Sequence, residues 1–256
     1  MEYFGLLFVL GMLGGFFSGL LGLGGAILMI PLLLYVPPLF HLAPLDMKTV
    51  AAISTLQVFA SAASGAIAHR KRRAFSMKVI KTMGLPAAVA GFGGAFLSQY
   101  VNPKILLAIF AGISTVATFL MFVPKKVLEN DEKELDFNPF LASSLAAIIG
   151  FIGGMIGAPG AFIFVPVCVY ILNIPLRVTI GSTLGIVLLT SLMSMIGKIA
   201  SGQMVWLLGV ALVLGSVPAA QLGSRVSHRA PVQVLHWMMT CVVALSSLKL
   251  WTDVFK

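Results

Sequence analysis

Two short glycine groups are the residues of this chain best suited to binding chemistry. Gly22-Leu23-Gly24-Gly25-Ala26 is followed five residues on by Pro31, and Gly157-Ala158-Pro159-Gly160-Ala161 by Pro166. Glycine lets a helix stop and restart. The restarted end presents unbonded N–H groups and the positive pole of a dipole. Gly22, Gly24, Gly25, Gly157 and Gly160 carry no side chain to keep a small anion from that backbone, and Ala26 and Ala161 carry only a methyl. Ser54-Thr55 and Ser182-Thr183 can add hydroxyl donors, and Gln57, one turn after Ser54, an amide.

Plainer roles compete with these. A hydroxyl on a membrane helix often bonds back to a carbonyl one turn earlier. Small residues four apart, as in Gly11, Gly15 and Gly19 or Gly150 and Gly154, let helices pack closely. Packing is the expectation for those five, and binding for the two groups that end in a proline.

The remaining ionisable residues narrow the chemistry. All eight acidic residues, at positions 2, 46, 129, 131, 132, 134, 136 and 253, fall in loops or near the termini. Cation sites and proton relays in membranes rest on buried carboxylates, so an anion is the better cargo. Lys198, at the end of an apolar segment, could attract an anion, but snorkelling to the surface is the expectation for it. His41, His69 and His228 sit at loop edges, and His236 is read as a packed residue. No P-loop, HExxH or GxSxG motif is present. Cys168 and Cys241 lie far apart with no metal or redox spacing. The expectation is a non-enzyme without a cofactor or metal.

The elements that must hold these residues are membrane helices. Of the 256 residues 59% are hydrophobic and 10% charged, with mean hydropathy +1.04; soluble domains carry about 25% charged residues. The net charge of +9 lies in short loops and sets topology, so nucleic acid is not an expected partner. The N-terminus lacks the positive region of a secretory signal, and the first apolar run is expected to be retained.

Each glycine group interrupts a run too long for one crossing. Phe4–Val36 has 33 residues and Pro139–Leu172 has 34; as continuous helices they would reach about 50 Å, against a hydrocarbon core of about 30 Å. Pro37-Pro38 is expected to close the first run. Further segments are expected at about Met47–Ala68, Val79–Ser98, Asn102–Val123, Val178–Ile199, Met204–Leu222 and Pro231–Trp251. Asp46, Asn102-Pro103 and Asn138-Pro139 read as helix starts. The basic stretch His69–Arg73 is expected on the cytoplasmic side, and Ser224–Arg229 forms a second basic turn.

The chain also repeats itself. A shift of 135 lays Gly15-Phe16, Gly19, Gly22, Gly25-Ala26, Pro31 and Tyr35 on Gly150-Phe151, Gly154, Gly157, Gly160-Ala161, Pro166 and Tyr170. A shift of 128 lays Ser54-Thr55-Leu56 on Ser182-Thr183-Leu184, and one of 132 lays Pro86-Ala87-Ala88 on Pro218-Ala219-Ala220. This predicts an all-α polytopic membrane protein of two pseudo-symmetric halves, 1–124 and 138–256, joined by a charged linker, 125–137. Each half has four hydrophobic runs. Counted as single crossings, the runs give eight crossings and parallel halves; with each first run a broken hairpin, they give ten segments and inverted halves. Lys and Arg balance equally well in both. The excess length of the long runs and the uncharged Ser201-Gly202-Gln203 turn favour inversion.

With its two Gly-Ala-x-x-x-x-Pro motifs, each followed by a Ser-Thr-rich segment, the whole chain resembles the TauE/SafE family of sulfite and sulfonate permeases. The second copy has Pro159 where the first has Gly24. The resemblance implies a multi-pass secondary transporter of a bacterial inner membrane, handling sulfite, sulfoacetate or other organosulfur anions. On this reading the anion sits near the bilayer midplane between the two glycine groups. An anion channel and, more remotely, a thiol–disulfide conduit through the cysteines are the alternatives. A cysteine placed at Gly202 tests the topology: an impermeant thiol reagent added outside is expected to label it, and labelling only after the membrane is opened indicates parallel halves.

Overall fold

A computed structural model describes residues 2–21, 25–70, 76–122, 137–158 and 160–227, together with 237, 240, 241, 244, 245 and 247–252. Gly22, Gly24 and Pro159, the linker up to Asp136, His236 and most of the last segment lie outside the described residues.

The described residues form helices and no strands. In order these are α1 (Glu2–Leu21), α2 (Ala26–Leu39), α3 (Met47–Arg70), α4 (Met77–Leu97), α5 (Pro103–Phe122), α6 (Pro139–Ile156), α7 (Ala161–Pro166), α8 (Leu176–Ala200) and α9 (Trp206–Ser227). Among them, six are long and apolar enough to cross a membrane. Large side chains on the outer surface are apolar, among them Leu85, Val89, Phe119, Phe140, Leu207 and Leu248. Such a surface suits lipid rather than water.

The starts are capped as their sequences suggest. Asn138 accepts the amides of Phe140 and Leu141 at 3.0 and 3.2 Å, ahead of Pro139. Asn102 accepts the Lys104 amide at 2.9 Å, and Asp46 those of Lys48 and Thr49 at 3.2 and 3.4 Å. Two ends differ from expectation. Helix α2 does not stop at Pro37-Pro38 but runs through them to Leu39. In a last turn the two missing N–H groups cost little, and the amides of Phe40, His41 and Leu42 bond back to the Pro37 and Pro38 carbonyls at 3.0 to 3.1 Å. Helix α9 continues through Ser224 to Ser227, because Gly223 and Ser224 lie against α1. Beyond Pro166, which has no N–H to give, α7 loosens into a π-helical turn over Val167–Ile171.

Both long runs are interrupted at their glycines. Helix α1 ends at Leu21 and α2 begins after Gly25 (φ 75°). Helix α6 ends at Gly157 (φ 73°) and α7 begins after Gly160 (φ 70°). Non-glycine residues seldom adopt these left-handed conformations. The Tyr3 hydroxyl donates to the Ala43 carbonyl at 2.9 Å, so the chain after α2 returns to the end where α1 began. At the start of α4, Lys78 sits 5.3 Å from the ring of Phe137, and Ser143 donates to the Thr82 carbonyl at 2.9 Å. The starts of α4 and α6 therefore lie together.

Helix α3 occupies the interior, packing against α1, α2, α5, α6, α8 and α9. It is not among the six apolar helices, and its stretch Val50–Thr55 is buried throughout. Two close pairings hold the flanks, α1 with α9 and α4 with α6. A methyl group at Gly11, Gly15 or Gly19 would overlap the backbone of Leu212, Ser216 or Ala220. One at Gly150 or Gly154 would overlap Ala87 or Gly91. The four-residue glycine spacing is thus a packing device, as expected. Of the last segment, Ser247 and Trp251 hydrogen-bond Thr115 of α5 at 2.9 and 2.8 Å.

Gly15→Leu and Gly154→Leu are expected to abolish recovery of folded protein, since backbone rather than a movable side chain blocks them. Gly112→Ala, with nothing near it, is expected to leave stability unchanged or to raise it by up to about 1 kcal/mol. Thermal denaturation in detergent measures both.

Candidate functional site

The first glycine group closes a junction of three helices. A methyl group on Gly14 of α1 would meet Met29 of α2 and approach the Gln57 amide of α3. One on Gly25 would overlap the Gly14 carbonyl and crowd Ser18. Helix α2 therefore starts alongside the Gly14–Ser18 turn of α1, inside the bundle. Its first internal bonds run from Leu28 and Met29 to the Gly25 carbonyl at 3.2 and 3.0 Å. The Ala26 and Ile27 amides precede them.

Polar side chains collect at this junction. Ser18, Ser54, Gln57 and Ser61 are fully buried. Gln57 Nε2 donates to Ser61 Oγ at 2.8 Å, and that hydroxyl donates to the Gln57 carbonyl at 2.8 Å. Gln57 Oε1, Ser18 Oγ and Ser54 Oγ have no partner among the described residues. Buried polar atoms are usually satisfied, so the orphans on Ser18 and Gln57 at one helix start, with Ser54 one turn away on α3, mark a place where a ligand can complete the bonding. Sequence reading missed Ser18, whose place four residues after Gly14 matches the small-residue packing stripe.

The other expected residues are arranged differently. A methyl group on Gly157 would overlap the Ala51 carbonyl of α3, the same oxygen that takes the Thr55 hydroxyl at 2.8 Å. One on Gly160 would meet Ile149 and Phe164, and Ala161 opens α7. Thr183 Oγ1 bonds back to the Thr179 carbonyl at 2.8 Å. Thr55 and Thr183 thus follow the plainer reading, as hydroxyls returned to their own helices. Ser182 Oγ accepts the Ser76 amide at 2.9 Å, tying α8 to the start of α4. Of the expected residues the structure joins Gly25, Ala26 and Gln57, with Ser54 one turn away on α3. Gly157 and Thr55 meet at Ala51, while Ser182 and Thr183 are occupied elsewhere.

Lys198 departs from expectation. It does not snorkel: it is fully buried, and among the described residues no other charged side chain is. Its ammonium donates to Ser98 Oγ at 2.6 Å, Gln203 Oε1 at 3.1 Å and the Met155 carbonyl at 3.4 Å. The ends of α4 and α6 and the loop after α8 close over the short reach to the surface. The two thiols differ in setting: Cys168 is buried with Sγ 3.7 Å from Met83 Sδ, and Cys241 is exposed. Both are free, which gives a thiol–disulfide conduit no support. Among the described residues no cluster of His, Cys, Asp or Glu suits a metal.

A helical bundle with an apolar exterior, helices restarted in its interior and unsatisfied polar atoms at one restart has the build of a multi-pass membrane transporter. Residues 7–250 match the family Sulfite exporter TauE/SafE, and the chain belongs to that family. It is 24% identical to the probable membrane transporter protein YunE of Bacillus subtilis, over 96% of this chain and 97% of that one. It is 26% identical to YfcA of Escherichia coli K12, over 97% and 90%, and 22% identical to MJ0441 of Methanocaldococcus jannaschii, over 95% and 93%. Both are likewise probable membrane transporter proteins. No solved structure matches the chain significantly.

The occupied hydroxyls give a stability contrast. Thr55→Val is expected to change stability by less than about 1 kcal/mol, because the Ala51 carbonyl keeps its helix bond. Ser182→Ala is expected to cost about 1–3 kcal/mol by leaving the Ser76 amide without its partner. Melting curves of the two purified variants check this.

Proposed function

We propose that the chain is a secondary transporter or facilitator of a small anion, with sulfite or an organosulfonate as the favoured cargo. The single observation that carries this is the pair of orphaned buried atoms Ser18 Oγ and Gln57 Oε1, on residues that line the junction of Gly14 and Gly25, with the orphaned Ser54 Oγ one turn away on α3. The Ala26 and Ile27 amides and the two hydroxyls offer hydrogen to an anion there, and the Gln57 amide group offers it when rotated. No carboxylate opposes it: the acids among the described residues are Glu2, at the exposed start of α1, and Asp46, the cap of α3. The family's description as sulfite exporters supports the sulfur oxyanion.

In this proposal the halves are inverted repeats and the first run of each is a hairpin. The Tyr3–Ala43 bond and the meeting of α4 and α6 starts support this, since they set the starts of α1 and α6 at opposite ends. The helix pairings support it too. A methyl group on Gly223 would overlap the Phe16 carbonyl, and one on Gly94 the Phe151 carbonyl. Phe16 and Phe151 are mates at the 135 shift, so contacts equate Gly94 with Gly223. That register of 129 differs by about one turn from the sequence match at 132 and keeps the same helix faces. The second break contributes Gly157 and Gly160, with Pro159 and Ala161 between and after them. Gly22 and Gly24 complete the first. The halves rock about this region, within a bacterial inner membrane.

Counterflow in proteoliposomes tests the proposal. Sulfite inside is expected to accelerate uptake of labelled sulfite, and Gln57→Leu, recovered folded, is expected to lower that uptake at least about tenfold, the equivalent of one charge-assisted hydrogen bond. Uptake without trans-acceleration favours a channel instead. Failure to take up sulfite, methanesulfonate or sulfoacetate overturns the anion reading.

A further inference from the structure

We propose a second oxyanion-binding site, built on Lys198 and Lys48, at the end of the bundle opposite the basic turn. It takes its choice of ligand from the carrier reading, but the site stands on its own surroundings.

The Lys198 ammonium has its three hydrogens satisfied by Ser98, Gln203 and Met155, and all three acceptors are neutral. A second ammonium stands close by. Lys48 Nζ donates to the Gln99 carbonyl at 2.7 Å and Lys198 Nζ to the neighbouring Ser98 hydroxyl at 2.6 Å, so the two lysines anchor on adjacent residues. Two cations are thus drawn together, one fully buried. Asp46, the acid nearest in sequence, is exposed and spends its carboxylate on the amides of Lys48 and Thr49. The end of α8 offers Lys198 only about half a negative charge. A buried charge left without a counter-charge is costly, and a bound anion supplies one.

Neither ordinary role of a membrane lysine fits. Snorkelling requires exposure, which Lys198 lacks. Orientation by positive charge concerns the cytoplasmic end, whereas α3 and α4 place Lys48 and Ser98 at the end away from residues 69–73.

The neutral groups favour an anion with several oxygens over a halide. Gln203 Nε2 donates to Ser201 Oγ at 2.7 Å and to Ser98 Oγ at 3.2 Å, and Ser98 Oγ donates to the Ala95 carbonyl at 2.6 Å. The longest ammonium contact, to Met155 at 3.4 Å, is the easiest to exchange. A pyramidal or tetrahedral oxyanion can displace it and accept the freed Lys198 hydrogen together with the Lys48 hydrogens not given to Gln99, which takes separate oxygens on one ligand. Met155 lies two residues before Gly157, so the site abuts the second helix break and gives a waiting anion a station beside it.

Isothermal titration of the purified full chain with sodium sulfite tests the site. Lys198→Gln is expected to weaken binding at least about tenfold, Lys198→Arg to stay within about threefold of wild type, and Lys48→Gln to weaken it about three- to tenfold. Wild-type affinity in both Lys198→Gln and Lys48→Gln overturns the site. Should Lys198→Gln not yield folded protein, Lys48→Gln decides alone, since Lys48 is only part-buried on the first turn of α3. Loss in the lysine variants with wild-type affinity and transport in Gln57→Leu overturns the Gly25 site and leaves this one standing. No binding of sulfite to wild type overturns this site, and counterflow then judges the carrier reading separately.

Discussion

Backbone hydrogen bonding in a medium without water governs this protein. Within hydrocarbon every N–H and C=O must find a partner in the protein, so an interrupted helix is tolerated only where protein surrounds it. The chain interrupts two of its helices, at Gly25 and at Gly157–Gly160, and much of the remaining architecture encloses those places. Glycine-lined contacts bring α1 against α9 and α4 against α6 at backbone distance. The close pairing lets α3 run through the middle. The second break rests on the Ala51 carbonyl of α3, and the first faces Gln57 of the same helix. An interior helix need not be as apolar as its neighbours, which is why α3 can carry Ser54, Thr55, Gln57, Ser61 and Ser64.

Hydrogen-bond accounting separates structural polar groups from those available to a ligand. Thr55, Thr183 and Thr190 return their hydroxyls to carbonyls one turn back, and Ser182 is committed to a backbone amide. Ser18, Ser54 and one oxygen of Gln57 are committed to nothing among the described residues. The difference lies in geometry. A hydroxyl aimed along its own helix finds an acceptor at once, whereas the Ser18 side chain lies against the start of α2 at Gly25.

The charges are placed with the same economy. Among the described residues the acids are Glu2 and Asp46, both exposed, so no fixed negative charge is buried there to repel an anion. The single fully buried charge among the described residues is a cation, Lys198, held by neutral oxygens near the second break. On the two proposed sites, an anion that meets the ammonium groups first and the hydroxyls with helix amides next passes from strong to weak attraction. Such grading lets an ion enter and still leave.

The membrane class, the helix starts and the two interruptions were legible in the sequence because each rests on local physics. Apolar length sets a crossing, Asn-Pro and Asp set caps, and glycine in an over-long run sets a break. On the proposed repeat, the one-turn disagreement between the sequence match at 132 and the contact register at 129 shows where local reading ends. Sliding one turn along a helix preserves the pattern of small residues, and only the partner helix fixes the position. Ser18 was hidden for the same reason, being one small residue among many until α2 placed Gly25 beside it. Lys198 was read as a surface residue because a lysine near a segment end ordinarily has a short way out. The sequence by itself determined that the chain forms apolar helices and that its two long runs are interrupted at their glycines, since those depend on neighbours along the chain. Only the tertiary structure decided which polar groups are left unsatisfied and which charge is buried, because burial and hydrogen bonding depend on neighbours through space.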